Sequence, residues 1–374
     1  QTVNASGTFN FTLSPPAGTV AGTKFLRVRI SESSATPAFS GSSTLKGEVE
    51  DYPIVVGTTD FGDLSTFASA SSTRNANLRL GATIDTEFAA TTNAAATGDD
   101  TTATDDEDGV TIPTMTAGAP ASIPVVVTNN TGAAAYLNAW IDYNGNNSIA
   151  DAGEQIATNV SVVTGTTNGT LNLNVTVPAT ALTGVSLGVR VRLTSTASPG
   201  GSGASGNGEV EDYKVIIAAP TTDFGDFSGF ADASQGVNTS LRMGALIDAE
   251  YVATKNATST GDDTTGSDDE DGATIPSVTA GQTVTVPVTV TNNTGANAYL
   301  NAWMDFNNNN NPADTGEQFA SNVSVPTGTT NGVVNLSLTV PANAVTGTNL
   351  GVRFRLSAPN GLGPTGANSL AGEV

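Results

Sequence analysis

Apolar and polar residues alternate with a period of two in many segments of the chain. Residues 171–177, for example, alternate Leu or Val with Asn or Thr. Successive side chains of a β-strand point to opposite faces of a sheet, so this pattern predicts a half-buried strand. The same alternation is found at residues 9–13, 284–290 and 334–340. Turn-forming clusters separate these segments, and no amphipathic helix longer than two turns is evident.

Two prolines refine this strand prediction. Pro124 and Pro287 occupy outward-facing positions in two of the alternating segments. Proline has no backbone N–H to donate to a neighbouring strand. We therefore predict that both segments are edge strands.

The chain repeats itself with an offset of 163 residues. The motif Thr-Thr-Asp-Phe-Gly-Asp at 58–63 returns at 221–226, and Asn-Ala-Trp at 138–140 returns at 301–303. We divide the chain into the C-terminal part of a repeat (1–56), a complete repeat (57–219) and a second repeat lacking its last strand (220–374). We expect the chain to be a segment of a longer protein; otherwise a neighbouring subunit completes its ends by strand addition.

The repeat and the alternation together predict the fold class. It is all-β, with tandem repeats of antiparallel Ig-like β-sandwich modules. The front of each repeat, 57–109 in the first, is rich in Gly, Ala, Thr and Asp. We expect it to form an additional loop-rich acidic segment that packs on the sandwich.

Amino-acid composition limits the kinds of catalytic, metal and binding site that this chain can form. The chain has 35 Asp+Glu and 13 Lys+Arg, a formal net charge of −22, and no His or Cys. The absence of His and Cys excludes Ser-His-Asp and Cys-His catalysis, thiolate or imidazole metal sites, and disulfides. The negative charge opposes binding to nucleic acid and anionic membranes. Oxygen ligands remain, and they suit hard cations such as Ca²⁺.

The first candidate site is an acidic loop, residues 99–109, with its counterpart at 262–272. Carboxylates packed this closely repel one another unless a cation lies between them, and Ca²⁺ binds about six to eight oxygens. The alternative is a solvated acidic loop without metal. The predicted Ca²⁺ ligands in these two loops are Asp99, Asp100, Asp105, Asp106, Glu107, Asp108, Asp262, Asp263, Asp268, Asp269, Glu270 and Asp271.

The second candidate is the loop 142–154, whose oxygen-bearing side chains follow the spacing of the first half of an EF-hand loop. The Glu that closes an EF-hand is replaced by Gly153, and a predicted strand precedes the loop. We therefore expect a calcium loop between strands; the alternative is an Asn/Gly-rich turn without metal. The predicted ligands in this loop and its counterpart are Asp142, Asn144, Asn146, Ser148, Asp151, Glu154, Asp305, Asn307, Asn309, Asn311, Asp314 and Glu317.

A third feature combines arginines and acids. The Arg-x-Arg pairs begin at Arg27, Arg190 and Arg353. Alternation places both arginines of a pair on one face of the strand. About twenty residues after the second pair comes Gly-Glu-Val-Glu-Asp-Tyr, which carries Glu209, Glu211 and Asp212. We predict a cross-strand ion-pair ladder. A ligand-binding arginine pair and a role for these acids in a calcium site are the alternatives.

We expect no enzymatic activity. Two carboxylates can hydrolyse a glycosidic bond without histidine, but here the acids are clustered and duplicated. Aromatic residues, which would stack on sugars, make up only 6% of the chain. Trp140 and Trp303 occur once per repeat within apolar strands, where core packing is the expected role.

The order of motifs resembles a known family. Asp-Phe-Gly-Asp, Leu-Gly-Ala-Thr-Ile-Asp, Thr-Gly-Asp-Asp, Asp-Asp-Glu-Asp-Gly, Leu-Asn-Ala-Trp-Ile-Asp and Gly-Val-Arg-Val-Arg-Leu precede the closing Gly-Glu-Val-Glu-Asp-Tyr. This order, over nearly the whole chain, is similar to that of the GEVED-domain family of bacterial surface proteins. The resemblance implies large, secreted, adhesin-like or matrix proteins built from β-sandwich repeats. The Asn run at 307–311 departs from the pattern and puts calcium binding by that loop in question.

We expect a structural repeat module of a secreted, calcium-stabilised bacterial extracellular fibre, stalk or giant adhesin, at the cell surface or in the extracellular matrix. The expected cofactor is Ca²⁺, and the expected partners are neighbouring repeats or copies of the chain, without nucleic acid or membrane insertion. One alternative is an adhesion module that binds surface glycans or proteins. The other is a self-assembling filament or surface-layer subunit with inter-subunit strand exchange.

Overall fold

The computed structural model describes residues 7–8, 13, 22–32, 46–57, 59–84, 86–87, 89–98, 106–261 and 269–374. These residues contain strands, turns and bends but no helix. Accordingly, no helix within these ranges is long and apolar enough to cross a membrane. The predicted all-β class is confirmed.

The strands fall into three groups along the chain. The first group is β1 (Gly22–Ser31) and β2 (Gly47–Val56). The second group, which we call unit one, comprises β3 (Thr59–Phe61), β4 (Ala70–Thr73), β5 (Leu78–Leu80), β6 (Met115–Thr116), β7 (Pro120–Asn129), β8 (Ala135–Ile141), β9 (Gln155–Val162), β10 (Thr166–Thr176), β11 (Ser186–Thr194) and β12 (Gly203–Ala218). Unit two comprises β13 (Thr222–Phe224), β14 (Ala233–Gly236), β15 (Leu241–Met243), β16 (Thr283–Asn292), β17 (Ala298–Met304), β18 (Gln318–Val325), β19 (Thr329–Thr339), β20 (Val352–Ser357) and β21 (Gly366–Glu373).

Each unit builds two sheets. In unit one the larger sheet has the order β3-β4-β12-β11-β8-β9, with β6 also paired to β12, and the smaller sheet has the order β10-β7-β5. Unit two repeats this as β13-β14-β21-β20-β17-β18 and β15-β16-β19. Most pairs are antiparallel, but β12 pairs in parallel with β4 and β6. The short strands at the front of each unit therefore extend the sheets formed by the later strands.

The core of unit one lies between its two sheets. Val125 and Val127 of β7 and Leu137 of β8 are fully buried in one cluster with Val191 of β11. An equivalent cluster fills unit two. Two stacked sheets that share one apolar core form a β-sandwich, which confirms the predicted β-sandwich repeats.

Most of the alternating segments form strands as predicted. The segments starting at 171, 284 and 334 lie mainly in β10, β16 and β19. The alternation at 9–13 falls outside the described residues except for Leu13.

The edge-strand prediction is wrong. Both β7 and β16 lie between two neighbours, because β5 and β15 cover one end of them. Proline is tolerated because β5 pairs only with residues 127–129 and ends before Pro124. The Pro124 carbonyl accepts a hydrogen bond of 3.0 Å from the Thr111 amide, on the side away from β10. The proline nitrogen points to that same side, where no strand requires a donor.

Candidate metal sites

Strand β12 carries the motif 208–213 and sorts its acids onto two faces. On one face Asp212 lies opposite Arg190 of β11. The guanidinium donates two hydrogen bonds of 2.7 Å to the two carboxylate oxygens, and both side chains are fully buried. Arg190 also donates to the carbonyls of Ala68 and Gly201 at 2.6 and 2.8 Å. The pair therefore ties β11 to β12 and to two loops.

The predicted ion-pair ladder is wrong beyond this first rung. Arg192 shares the face of Arg190 as expected, but it lies opposite Val210. It donates instead to the backbone carbonyls of Ser71 and Gly200, at 2.8 and 2.9 Å. Burial, followed by the nearby Arg190 charge, lowers the Arg192 pKa to about 10. The register therefore leaves Glu209 and Glu211 on the opposite face of the strand.

Glu211 fixes the end of the acidic loop. Its Oε1 accepts a hydrogen bond of 2.9 Å from the Gly109 amide, and its Oε2 accepts one of 3.0 Å from the Tyr213 hydroxyl. The side chain is fully buried. Burial is the main cause that raises the Glu211 pKa well above its usual range.

Glu209 joins a compact carboxylate cluster that the sequence analysis did not identify. Asp60, Asp106 and Glu209 each place a carboxylate oxygen within 4.8 Å of the others, and we call these residues the carboxylate trio. They are 1%, 4% and 0% exposed, respectively. Asp60 accepts a hydrogen bond of 2.6 Å from the Val210 amide, and Glu209 accepts one from the Leu80 amide through Oε2. Glu209 Oε1 is buried without a hydrogen-bond partner.

The charges of the trio perturb one another. Burial raises the pKa of Asp60 well above its usual range, and the charges of Asp106, Glu87 and Glu211 raise it further. The pKa of Glu209 is raised well above its usual range by burial and then by the charges of Glu211, Asp60 and Asp106. Within the described ranges, neither Asp60 nor Glu209 forms an ion pair. The trio thus holds three carboxyl groups away from water, where the ionised forms of Asp60 and Glu209 are disfavoured.

Unit two places the equivalent acids Asp223, Asp269 and Glu373 in the same arrangement of strands. All three are buried, and their ligand oxygens do not all lie within the 4.8 Å spacing of the trio. Asp223 accepts a hydrogen bond of 2.5 Å from the Val374 amide, as Asp60 does from Val210. Burial raises the pKa of Asp269 to about 6. A cavity of about 280 Å³ is lined by Asp269, Glu373 and neighbouring residues.

Half of the twelve ligands predicted in the acidic loops lie among the described residues. Six of their predicted ligands lie outside the described residues: Asp99, Asp100, Asp105, Asp262, Asp263 and Asp268. Asp106 and Asp269 are buried in the clusters described above, whereas Glu107 is half-buried and Glu270 is exposed. Asp108 is exposed and is not a member of the trio. It accepts hydrogen bonds of 2.9 and 3.2 Å from the amides of Ala82 and Thr83, and Asp271 likewise accepts from the Ala245 amide.

The loop between β8 and β9 gathers its predicted ligands around two acids. Asp142 is buried, and its two oxygens accept hydrogen bonds of 3.1 and 2.9 Å from the amides of Asn146 and Asn147. Asp151 is on the outer side of the loop and accepts from the Asn144 and Asn146 side chains at 3.0 and 2.6 Å. Ser148 Oγ accepts from the Ala150 amide at 3.3 Å.

Glu154 closes this loop from inside. It is 2% exposed, and neither carboxylate oxygen has a hydrogen-bond partner from a side chain. Burial is the largest cause that raises its pKa and the charges of Asp142 and Asp151 raise it further, whereas the nearby Asn144 and Asp151 amides lower it. Because a buried carboxylate with no side-chain donor is costly, Glu154 is the acid of this loop that a bound cation would stabilise most.

The counterpart loop in unit two keeps this geometry despite its Asn run. Asp305 accepts from the amides of Asn309 and Asn310 at 3.1 and 2.7 Å. The side chains of Asn307, Asn309 and Asn311 all donate to Asp314. Glu317 is 3% exposed, and its Oε2 has no hydrogen-bond partner.

Sequence analysis missed Asp60 and Asp223 as site residues, although both lie in a motif that was used to measure the repeat. Asp60 and Asp223 belong to the motif Asp-Phe-Gly-Asp, which served only to measure the repeat. A short acidic motif that returns in each repeat signalled a shared role. Its partners, however, are separated from it by up to 149 residues in unit one, between Asp60 and Glu209.

The fold and the sites together define a tandem array of β-sandwich units with buried carboxylates on the same strands and loops of each unit. The GEVED domain model matches residues 1–55, 136–216 and 299–374, which is more than half of the chain. The chain therefore belongs to the GEVED family. A search of curated proteins finds no match.

Two of the solved structures that match this chain illustrate how weak the similarity is. A chimeric titin Z1Z2-Z1Z2 tandem is 12% identical, with 71% of this chain and 96% of that chain covered and a TM-score of 0.18. The native conformation of E. coli alpha-2-macroglobulin is 11% identical, with a TM-score of 0.26; 95% of this chain but only 21% of that chain is covered. These likenesses are too weak to support an inference about fold or function.

Proposed function

We propose that the chain is a structural repeat module of a secreted, calcium-stabilised bacterial extracellular fibre, stalk or giant adhesin. The observation that carries this proposal is the buried Glu154 carboxylate beside Asp142, in a loop of oxygen-bearing side chains. Unit two repeats the arrangement with Glu317 and Asp305.

The loop residues suit Ca²⁺ chemically. Calcium prefers carboxylate and amide oxygens and tolerates irregular geometry. Asp142, Asn144 and Asn146 offer such oxygens on one loop, and Glu154 adds a carboxylate at its end. A cation there would satisfy Glu154 and offset its repulsion from Asp142 and Asp151, which adds to the effect of burial in raising the Glu154 pKa.

The position of the loop indicates a mechanical role. It connects β8 to β9, and Glu154 directly precedes β9. A metal that bridges Asp142 and Glu154 would therefore fix the ends of two adjacent strands of the larger sheet. In an array, one such clamp per unit would stiffen each module, which suits partners that are neighbouring repeats or other copies of the chain.

Composition supports an extracellular location for this role. The chain has 35 Asp+Glu against 13 Lys+Arg, and its acids offer the oxygen ligands that Ca²⁺ prefers. Calcium modules outside cells bind the ion at about 10⁻⁴–10⁻³ M. We assign the module a scaffolding role, without catalysis.

Thermal melting with and without calcium tests the proposal. Binding only to the folded state stabilises it by about 2.7 kcal/mol per site at 100 times Kd. We expect the melting temperature to rise with calcium concentration and to fall in chelator. In the double variant Glu154→Gln/Glu317→Gln, this calcium-dependent rise should shrink markedly. Equal melting temperatures for the wild-type chain in calcium and in chelator would refute the proposal.

A further inference from the structure

Outside the loop sites, the trio combines the features expected of a ligand-binding centre. Its three carboxylates come from separate parts of unit one: Asp60 from β3, Asp106 from the end of the acidic loop and Glu209 from β12. Each side chain is at least nine-tenths buried. Glu209 Oε1, in addition, has no hydrogen-bond partner. A buried carboxylate oxygen that no donor satisfies is a position that a bound cation would stabilise.

We propose that Asp60, Asp106 and Glu209 form a second, buried calcium site, distinct from the loop between β8 and β9. This inference rests on the proposed calcium-stabilised function and extends it to a site inside the module. The ligand class is a divalent hard cation bound by carboxylate oxygens.

The geometry of the trio fits calcium. Two oxygens on opposite sides of one Ca²⁺ lie about 4.6–5.2 Å apart, because each Ca–O distance is about 2.3–2.6 Å. The ligand oxygens of the trio lie within 4.8 Å of one another, so one ion can contact all three. The Val210 and Leu80 amides already hold one oxygen each of Asp60 and Glu209. These hydrogen bonds orient the carboxylates and leave Glu209 Oε1 available to the ion.

The site assigns separate roles to the acids of the Gly-Glu-Val-Glu-Asp motif. Glu209 supplies a metal ligand, Glu211 holds the Gly109 amide at the end of the acidic loop, and Asp212 pairs with Arg190. An ion between Asp60, Asp106 and Glu209 would connect β3, the end of the acidic loop and β12, which are the first, middle and last parts of unit one. The loop site, in contrast, joins two strands that are already adjacent.

Calcium binding to loop-deficient chains provides the experiment. In the full chain carrying Glu154→Gln/Glu317→Gln, we would count bound calcium by equilibrium dialysis at pH 7.5, with Mg²⁺ in a parallel arm. We expect this chain to retain bound calcium and to lose one ion per chain when Glu209→Gln is added. Adding Glu211→Gln instead should leave the count unchanged, because Glu211 contacts an amide and a hydroxyl and is not part of the trio.

The outcomes separate the two proposals. If Glu209→Gln leaves the calcium count unchanged, the trio is not a calcium site, whatever the loops bind. If the wild-type and loop-deficient chains bind the same number of ions and Glu209→Gln still removes one, the loop sites fail while the trio stands. Preferential retention of Mg²⁺ would overturn the assignment to calcium. Should Glu209→Gln fail to fold, as judged by circular dichroism, Asp106→Asn offers a second variant with the same expected loss of one ion.

Discussion

The buried ion pair between Arg190 and Asp212 yields a sharp stability prediction. Replacing Arg190 by Met keeps an apolar stem but strands the Asp212 carboxylate, which is fully buried. The Leu64 amide, at 2.9 Å, would be the remaining donor to that carboxylate. Breaking one side of a buried pair costs about 3–5 kcal/mol. For a module of this size, that corresponds to a fall of roughly 6–20 °C in melting temperature.

Trp140 provides a reporter for unit one, because the chain has two Trp residues, one in each unit. In a Trp303→Phe background, tryptophan fluorescence follows the unfolding of unit one during a thermal or urea scan. The double variant Arg190→Met/Asp212→Leu removes both charges. We expect it to be more stable than the sum of the single variants predicts, since neither charge is then left unpaired.

Unit two supplies a matched control. Arg353 occupies the position of Arg190 and donates to the Ala231 and Pro364 carbonyls at 2.7 and 2.8 Å. It also lies over the Phe230 ring, as Arg190 lies over Phe67. In the described part of the chain it forms no ion pair with a carboxylate. Arg353→Met, followed through Trp303 in a Trp140→Phe background, should therefore cost clearly less than Arg190→Met. Equal losses at the two positions, or strict additivity in the double-mutant cycle, would refute this account.

Three further predictions concern the motif glycine, a turn and pH. Gly208→Ala should strongly destabilise unit one in urea unfolding. Gly208 has a φ of +151°, and a Cβ on it would lie 1.9 Å from the Leu193 carbonyl oxygen. An unchanged urea midpoint would show that the strand can shift to accept alanine. Asn129→Ala should lower stability by about 1–3 kcal/mol, since this buried amide donates to two carbonyls, and an unchanged midpoint would contradict this. In chelator, stability should fall as pH rises from about 4 to 6. Burial raises the Asp269 pKa to about 6 from an ordinary 3.8, so the folded state binds the proton more tightly than the unfolded state does. Asp269→Asn should flatten that dependence, and an identical slope in both chains would exclude Asp269 as its source.

The sequence by itself determined the strand content and the repeat. Alternation at 171–177 required a strand with one apolar face, because side chains in a strand point alternately to two sides. The 163-residue offset between Asp60 and Asp223 required two units with the same fold. The loop 142–154 was also accessible to sequence reasoning, because its candidate ligands are close together in the chain.

Tertiary structure alone decided which acids come together. Strand alternation gave no means of matching Glu209 to Asp60, since 149 residues separate them. The pairing depends on the register of β11 against β12, which places Arg190 opposite Asp212 and Arg192 opposite Val210. That register turns Glu209 to the other face, toward Asp60 and Asp106. A shift of one residue would exchange the two faces, so the separation of the ion pair from the carboxylate trio is a property of the folded sheet.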